Sequence, residues 1–361
     1  MVVLLATPAL IKVAFLKRLF DEPGERKLHK RMVPTIGGII IFAGALFAYA
    51  LWFPSDMLTE YGKVMGSIKD FKFIVATLLI LFFVGVKDDI IGTAPIKKLA
   101  AHVIVGLVLV LMADIRIKSM HGLFGIHENL PHWASVFLSL FTYIVVVNAF
   151  NLIDGVDGLA GGVGVICSAT FGVGFFLGGD LVMATLCFSL VGALMAFLIF
   201  NFSPAKIFMG DSGSLSIGLL VCVMAIKFVE FDRLAVDAAY LPFYSPVFVM
   251  AVLFYPLVDT LRIFIYRTSR GLSPFSADRN HMHHQLIDSG FSHRWTVIAI
   301  YVANLFIIGL AWILDGLSGT WSFIIVGISA TILSQIPYLL KKQHLRKKGD
   351  PAERSLNTDA A

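Results

Sequence analysis

The chain has 361 residues, of which 58% are hydrophobic, 12% aromatic and only 15% charged, with a formal net charge of +5 and a mean hydropathy of +0.84. Soluble domains carry about 25% charged residues, so a soluble enzyme, a disordered chain and a disulfide scaffold are all excluded. What remains is an integral membrane protein whose apolar residues fall in runs separated by short polar stretches.

A bilayer core asks for about 20 largely apolar residues per helix. Eleven runs meet or approach that, at 1–19, 36–54, 71–87, 96–113, 132–150, 159–178, 181–200, 213–230, 242–264, 295–314 and 320–340. The expected fold is therefore an all-α polytopic membrane protein of about eleven transmembrane helices, with residues 1–340 forming one integral membrane domain. The first run carries Lys12 and Lys17 and has no cleavage-site pattern, so it does not read as a cleaved signal peptide. Residues 341–361 form a basic tail that reads as disordered, with Lys341, Lys342, Arg346, Lys347 and Lys348 suited to anionic lipid. Cys167, Cys187 and Cys222 lie inside apolar runs and carry no redox signal. Trp52, Trp133, Trp295, Trp312 and Trp321 fall near run ends, as an interfacial belt requires.

Eleven spans put the termini on opposite sides. Of the 29 Lys and Arg, 21 lie in the loops at 17–35, 87–98, 148–158, 201–212 and 262–294 or in the tail, seven lie on the other side, and Lys12 lies within the first run. The positive-inside rule makes the first set cytoplasmic and the amino terminus external.

Four polar clusters interrupt the apolar pattern. They are Lys87-Asp88-Asp89; Asn148-x-x-Asn151-x-x-Asp154-Gly155-x-Asp157-Gly158; Asn201 with Phe208-Met209-Gly210-Asp211-Ser212-Gly213-Ser214; and the loop from Arg262 to Arg294 with Arg267, Arg270, Asp278, Arg279, Asn280, His281, His283 and His284. All four fall on the basic side, although none was used to choose the parity. Helix-ending carboxylates would scatter over both faces, whereas an active site gathers its groups at one.

The chemistry of that inventory is specific. Aspartate oxygens are hard donors that favour Mg²⁺ or Mn²⁺ over zinc, and Mg²⁺ is usually held by one or two carboxylates together with substrate phosphates. Arginines and histidines suit the phosphate oxygens themselves. Glycines beside Asp154, Asp157 and Asp211 let backbone N–H groups approach an anion, and the eighth run starts where its helix N-terminus would face one. Neighbouring residues on a helix diverge by about 100°, so Asp88 and Asp89 are expected to do different work. Asp154 and Asp157 share a helix face or lie in a turn. A zinc site at His281-Met-His283-His284 is the weaker alternative, since no cysteine is near, and Gly-Asp-Ser-Gly-Ser lacks the lysine of a P-loop. Asp259, near the inner end of the ninth run, reads as a partner of Arg262 or as a sugar contact.

Together with Arg26-Lys27-Leu28-His29-Lys30 and Pro34-Thr35-Ile36-Gly37-Gly38, these ordered motifs resemble the polyprenyl-phosphate N-acetylhexosamine-1-phosphate transferase family (glycosyltransferase family 4). Within it, the pattern is most like that of bacterial undecaprenyl-phosphate GlcNAc-1-phosphate transferases. The phospho-MurNAc-pentapeptide branch has three consecutive histidines where Met282 interrupts the run here.

The resemblance implies a Mg²⁺- or Mn²⁺-dependent enzyme of the bacterial inner membrane, acting on its cytoplasmic face. It would transfer GlcNAc-1-phosphate from UDP-GlcNAc to undecaprenyl phosphate, the first membrane step of a surface polysaccharide such as the O-antigen of lipopolysaccharide. The implied catalytic residues are Asp88, Asp89, His281, His283 and His284, and the implied metal ligands are Asp211 and Asp89. Asn148, Asn151, Asp154, Asp157, Asn201, Phe208, Arg267 and Arg279 are the implied substrate contacts. Partners are the two substrates and membrane lipid, with no nucleic acid, and a homodimer is compatible. Other UDP-HexNAc donors (GalNAc, QuiNAc, FucNAc) remain open. A prenyltransferase would want a third acid after Asp88-Asp89, where Ile90-Ile91-Gly92 stands, and an ion-coupled transporter would place its acids near the midplane.

Overall fold

A computed structural model describes residues 1–21, 32–55, 61–231, 246–272 and 280–348. Each of the eleven apolar runs is largely helical over its described residues. The order is α1 (Val2–Leu16), a short antiparallel pair β1 (Phe20–Asp21) and β2 (Val33–Pro34), α2 (Gly37–Leu51), α3 (Tyr61–Ile91), α4 (Pro95–Leu107, continued by a π-helical turn Val108–Met112), α5 (His132–Leu152), α6 (Leu159–Leu177), α7 (Leu181–Asn201), α8 (Gly210–Val229), α9 (Pro246–Val252), α10 (Phe254–Ser269), α11 (Met282–Asp288), α12 (His293–Ile313) and α13 (Gly319–Lys348). Among the described residues seven helical spans are long and apolar enough to cross a membrane, and eight if the bent pair α9–α10 is one span. Helices α1 and α2 are shorter, at 15 residues each.

Helix α8 is the axis of the bundle. It is buried along nearly its whole length and is packed by α3, α5, α2 and α6. Its small residues allow that crowding, since close backbone approach is what packs helices in lipid. Two glycines on its neighbours show how tight the contact is. A Cβ on Gly38 of α2 would stand 2.1 Å from the Gly213 nitrogen, and one on Gly85 of α3 would stand 2.4 Å from Ser212 Cα. Any side chain at either position would push α2 or α3 away from the start of α8.

Two expectations are corrected. The ninth run is not one straight span, because α9 and α10 meet at an angle of 83°. Pro256, in the first turn of α10, has no N–H to return to the Val252 carbonyl, so the helix cannot run through. The freed groups are satisfied from other helices: Asn304 Nδ2 (3.2 Å) and the Cys167 thiol (3.3 Å) donate to Val252 O, and the Tyr255 N–H donates to Asn304 Oδ1 at 3.1 Å. Nor does the tail begin at 341. Helix α13 continues through Lys348 and packs on α11, with Lys341 Nζ donating to Asp288 Oδ2 at 2.7 Å.

Candidate active site

The start of α8 gathers three of the four polar clusters. Asp88 and Asp89 end α3, Asn148 and Asn151 end α5, and both helices pack on α8. Asp88 and Asp89 then diverge as helix geometry requires. Asp89 turns to α8 and caps it: Oδ1 accepts the Asp211 N–H (2.7 Å), and Oδ2 accepts the Ser212 N–H (3.1 Å) and hydroxyl (2.7 Å). A carboxylate at a helix N-terminus meets unpaired N–H groups and the positive end of the dipole. The Asp211 and Ser212 N–H groups at the start of α8 are thus already paired with Asp89, so the expectation of a helix N-terminus facing a substrate anion is revised.

Asp88 faces the other way, toward α4. The Lys98 ammonium lies 2.8 Å from Asp88 Oδ2 and also donates to Asp211 Oδ2, while Asn151 Nδ2 donates to Asp211 Oδ1 and Ser214 Oγ, both at 3.0 Å. Lys98, Asp88 and Asp211 are each about one-fifth exposed. Two carboxylates from different helices therefore converge on one cation-sized point with a single positive charge between them. That excess of hard anionic oxygen fits Mg²⁺ or Mn²⁺. Among the described residues no group of three or more His, Cys, Asp or Glu is placed to hold a metal ion.

The Asp154–Gly158 segment is a turn, with Gly158 at φ +84°. Asp157 Oδ2 accepts the Ala205 N–H at 3.0 Å. Burial, then the negative charges of Asp211, Asp89 and Asp157, pushes the Asp154 carboxyl well above the usual carboxylate range. Two asparagines expected in the substrate pocket are spent on the protein. Asn201, almost fully buried, accepts the Gly158 N–H (3.0 Å) and donates to Ile207 O (2.9 Å), and so ties that turn to the segment before α8. Asn148 donates to Ile144 O (2.7 Å) and pairs with His102 Nδ1 at 3.2 Å. Phe208 is anchored by its backbone, donating to Pro34 O (2.7 Å) and accepting from Gly37 N (2.9 Å).

The fourth cluster arrives through α10 and α11. His281 Nδ1 lies 2.8 Å from Asp259 Oδ2, and His283 Nδ1 lies 2.9 Å from the Tyr255 hydroxyl. Asp259 thus has His281 as its near partner, with Arg262 at 3.7 Å. The three histidine rings cluster, with centroids 4.4–6.2 Å apart, and Arg267 is buried at the end of α10. A Cβ on Gly155 would lie 3.1 Å from His283 Nε2, so the histidine cluster abuts the turn that holds Asp154. Burial depresses His283 to about 3 and keeps it neutral, and the Asp259 charge offsets that only in part. Arg279, Asp278 and residues 26–30 lie outside the described residues.

Comparison with known proteins bears on the same segment. The family model described as glycosyl transferase family 4 matches residues 71–229, which hold Asp88, Asp89, Lys98, Asn148, Asn151, Asp154, Asp157, Asn201, Phe208 and Asp211. The undecaprenyl-phosphate alpha-N-acetylglucosaminyl 1-phosphate transferase of Escherichia coli (strain K12) is 30% identical over 296 residues, covering 81% of this chain and 75% of that protein. The chain belongs to glycosyl transferase family 4. The enzyme of the same name from Yersinia pestis is 29% identical, covering 81% of this family 4 chain and 76% of its own length. The decaprenyl-phosphate N-acetylglucosaminephosphotransferase of Mycobacterium tuberculosis (strain CDC 1551 / Oshkosh) is 35% identical over 298 residues, covering 78% and 72%.

One site residue of this family 4 protein is absent from the sequence-based set. Lys98 opens an apolar run, where a lysine reads as a positive-inside charge. The available signal was its neighbour Pro95, whose place in the first turn of α4 marks a helix start and so sets Lys98 at a helix end beside the acids.

Proposed function

We propose that the protein transfers GlcNAc-1-phosphate from UDP-GlcNAc to undecaprenyl phosphate, releasing UMP and forming GlcNAc-diphospho-undecaprenol. The observation that carries this reading is the convergence of Asp88, Asp211 and Lys98 on one point, in a chain whose relatives are named for that transfer. A phosphate oxygen of the lipid carrier attacks the β-phosphorus of the nucleotide sugar, and the bond from that phosphorus to the bridging oxygen of UMP breaks. One phosphoanhydride is lost and one gained, so the main task is to bring two anions together. Unit charges 4 Å apart repel by roughly 4 kcal/mol at an effective dielectric of about 20.

Asp211, with Asp88 beside it, would hold Mg²⁺ or Mn²⁺, which supplies charge neutralisation at the diphosphate. Asp88 orients the acceptor phosphate or takes its proton. Lys98 sits between the two acids and supplies positive charge to the attacking phosphate. Asp89 holds Asp211 in place through the α8 cap. Asn151 fixes the second Asp211 oxygen, and Asp154 and Asp157 shape the turn at the nucleotide. His281, His283, His284, Arg267 and Arg279 bind the diphosphate and sugar. Positioning and electrostatics then account for the rate, as in other phosphoryl transfers.

The site lies on the cytoplasmic face of the bacterial inner membrane in this reading. The Lys/Arg bias supports that side, and the basic end of α13 joins the same end of the molecule through Lys341–Asp288. The test is radiolabel transfer from UDP-GlcNAc to undecaprenyl phosphate by the purified protein, against a panel of UDP-HexNAc donors. Activity that survives chelation of Mg²⁺ and Mn²⁺, or is indifferent to Asp211→Asn, would sink the reading.

A further inference from the structure

Helix α10 carries Tyr255 and Asp259 one turn apart, hence on one face, and both are fully buried. The Pro256 break sets that face against the histidine segment, where each residue holds a different ring by the same atom. Asp259 Oδ2 is 2.8 Å from His281 Nδ1, and the Tyr255 hydroxyl is 2.9 Å from His283 Nδ1. The other Asp259 oxygen accepts the Met282 N–H at 2.8 Å, between the two histidines. The His281 and His283 rings lie 12° from parallel with centroids 5.3 Å apart.

These partners differ in what they can accept and donate. A carboxylate only accepts, so the proton of a neutral His281 stays on Nδ1 and its Nε2 presents a lone pair. Asp259 Oδ1 also lies 3.7 Å from the Arg262 guanidinium. Tyr255 is the reverse case. Its buried hydroxyl has the His283 ring as its hydrogen-bond partner among the described residues. If the ring donated to it, the phenol proton would be left buried without an acceptor, an arrangement that costs about 1–3 kcal/mol. The phenol therefore donates to His283 Nδ1. The proton of neutral His283 lies on Nε2, the atom that faces Gly155.

We propose that Tyr255 and Asp259 are positioning residues that set opposite tautomers on the stacked pair His281 and His283, so that the active site is offered one basic nitrogen and one N–H donor side by side. This rests on the transferase reading for its purpose: His281 Nε2, once protonated, holds a phosphate oxygen of the diphosphate, while His283 Nε2 donates to another. Asp259 then acts through His281, and Tyr255 through His283; neither touches substrate.

The experiment combines kinetics with a direct view of the rings. Protein labelled with ¹⁵N-histidine is titrated until the rings are neutral, and two-bond ¹⁵N–¹H correlations report which nitrogen bears each proton, with His281→Gln and His283→Gln assigning the two signals. The expected wild-type result is Nδ1–H for His281 and Nε2–H for His283. Asp259→Asn presents an amide N–H to His281 Nδ1 and should move that proton to Nε2. It should also lower kcat about 100-fold with KM for UDP-GlcNAc within about 3-fold, since a wrong tautomer at a working histidine costs turnover rather than binding. Tyr255→Phe frees His283 to populate the other tautomer and should cost about 10-fold in kcat.

The same tautomer on both wild-type rings, or an Asp259→Asn protein whose His281 pattern and kcat are unchanged, overturns the proposal. A merely structural role would lower yield or melting temperature without inverting a tautomer. Should Asp259→Asn fail to fold, the wild-type spectrum and Tyr255→Phe still decide. Should the wild type transfer nothing from UDP-GlcNAc, the transferase reading fails while the tautomer result stands.

Discussion

Helices α3 and α8 are joined by ion pairs at both ends, directly at one and through Lys98 of α4 at the other, and the two ends differ in their balance of charge. At the far end Lys227 of α8 pairs with Asp70 of α3, and the nearby Asp180 is spent capping α7 through the Met183 N–H at 3.0 Å. At the site end Lys98 stands between Asp88 and Asp211, and the nearby Asp89 is spent capping α8. Exposure is similar, at 18–29% for the side chains of both groups. Setting the capping acids aside, the far end is balanced one to one, whereas the site end has two acids for one base. A balanced pair holds helices together; an unbalanced one holds them together and also draws in a cation.

The largest expected effect tests that imbalance. Asp211→Asn should lower turnover by about 1000-fold, the scale of several kcal/mol of lost metal-assisted stabilisation, whereas Asp70→Asn should leave turnover within about 2-fold. Equal losses from the two variants would break the comparison. Next is Lys98→Met, expected to cost about 100-fold in kcat while lowering the Mg²⁺ concentration needed for half-activity, because the two acids would then lack their resident charge. A rise in that concentration would show that Lys98 helps to hold the ion.

Acid stability should also divide the two ends. The unfolded His283 titrates near 6.5 and the folded one near 3, so protons favour the unfolded chain in between. Its contribution is present above about pH 6.5 and is lost as pH falls toward 3, by up to about 1.4 kcal/mol per pH unit. His283→Gln should flatten the fall in melting temperature between those limits, and Lys227→Met should not. The smallest effect is on the balanced pair itself, where Lys227→Met should lower the melting temperature by about 2 °C with turnover nearly unchanged.

Much of this site was legible in the sequence, for a reason particular to membranes. In a chain with so few charges, Asp88, Asp89, Asp154, Asp157 and Asp211 stand out against apolar runs, and helix geometry alone separates Asp88 from Asp89. What stayed hidden depends on partners distant in sequence. Asn148 and Asn201 look like pocket residues because their type and spacing are polar, yet their amides serve Ile144, His102, Gly158 and Ile207. Pro256 in the ninth run was the visible sign of a break, but its meaning needed Asn304 and Cys167 to receive the freed carbonyl. Asp259 had Arg262 three residues away as an obvious partner, and the closer one, His281, is 22 residues on.

The Asp89 cap reaches beyond the residues it touches. Asp89 is covalently next to Asp88, and it grips the backbone of Asp211 and Ser212. The gap between Asp88 and Asp211 is therefore fixed through a closed ring of covalent and hydrogen bonds a few residues long, independent of how the bundle tilts. With Lys227–Asp70 pinning the opposite end, α3 and α8 form a strut that leans as a unit when the hydrocarbon thickness changes. Other helices can tilt to match a thicker or thinner bilayer while the spacing of the acidic pair stays constant, so turnover should vary little with acyl-chain length.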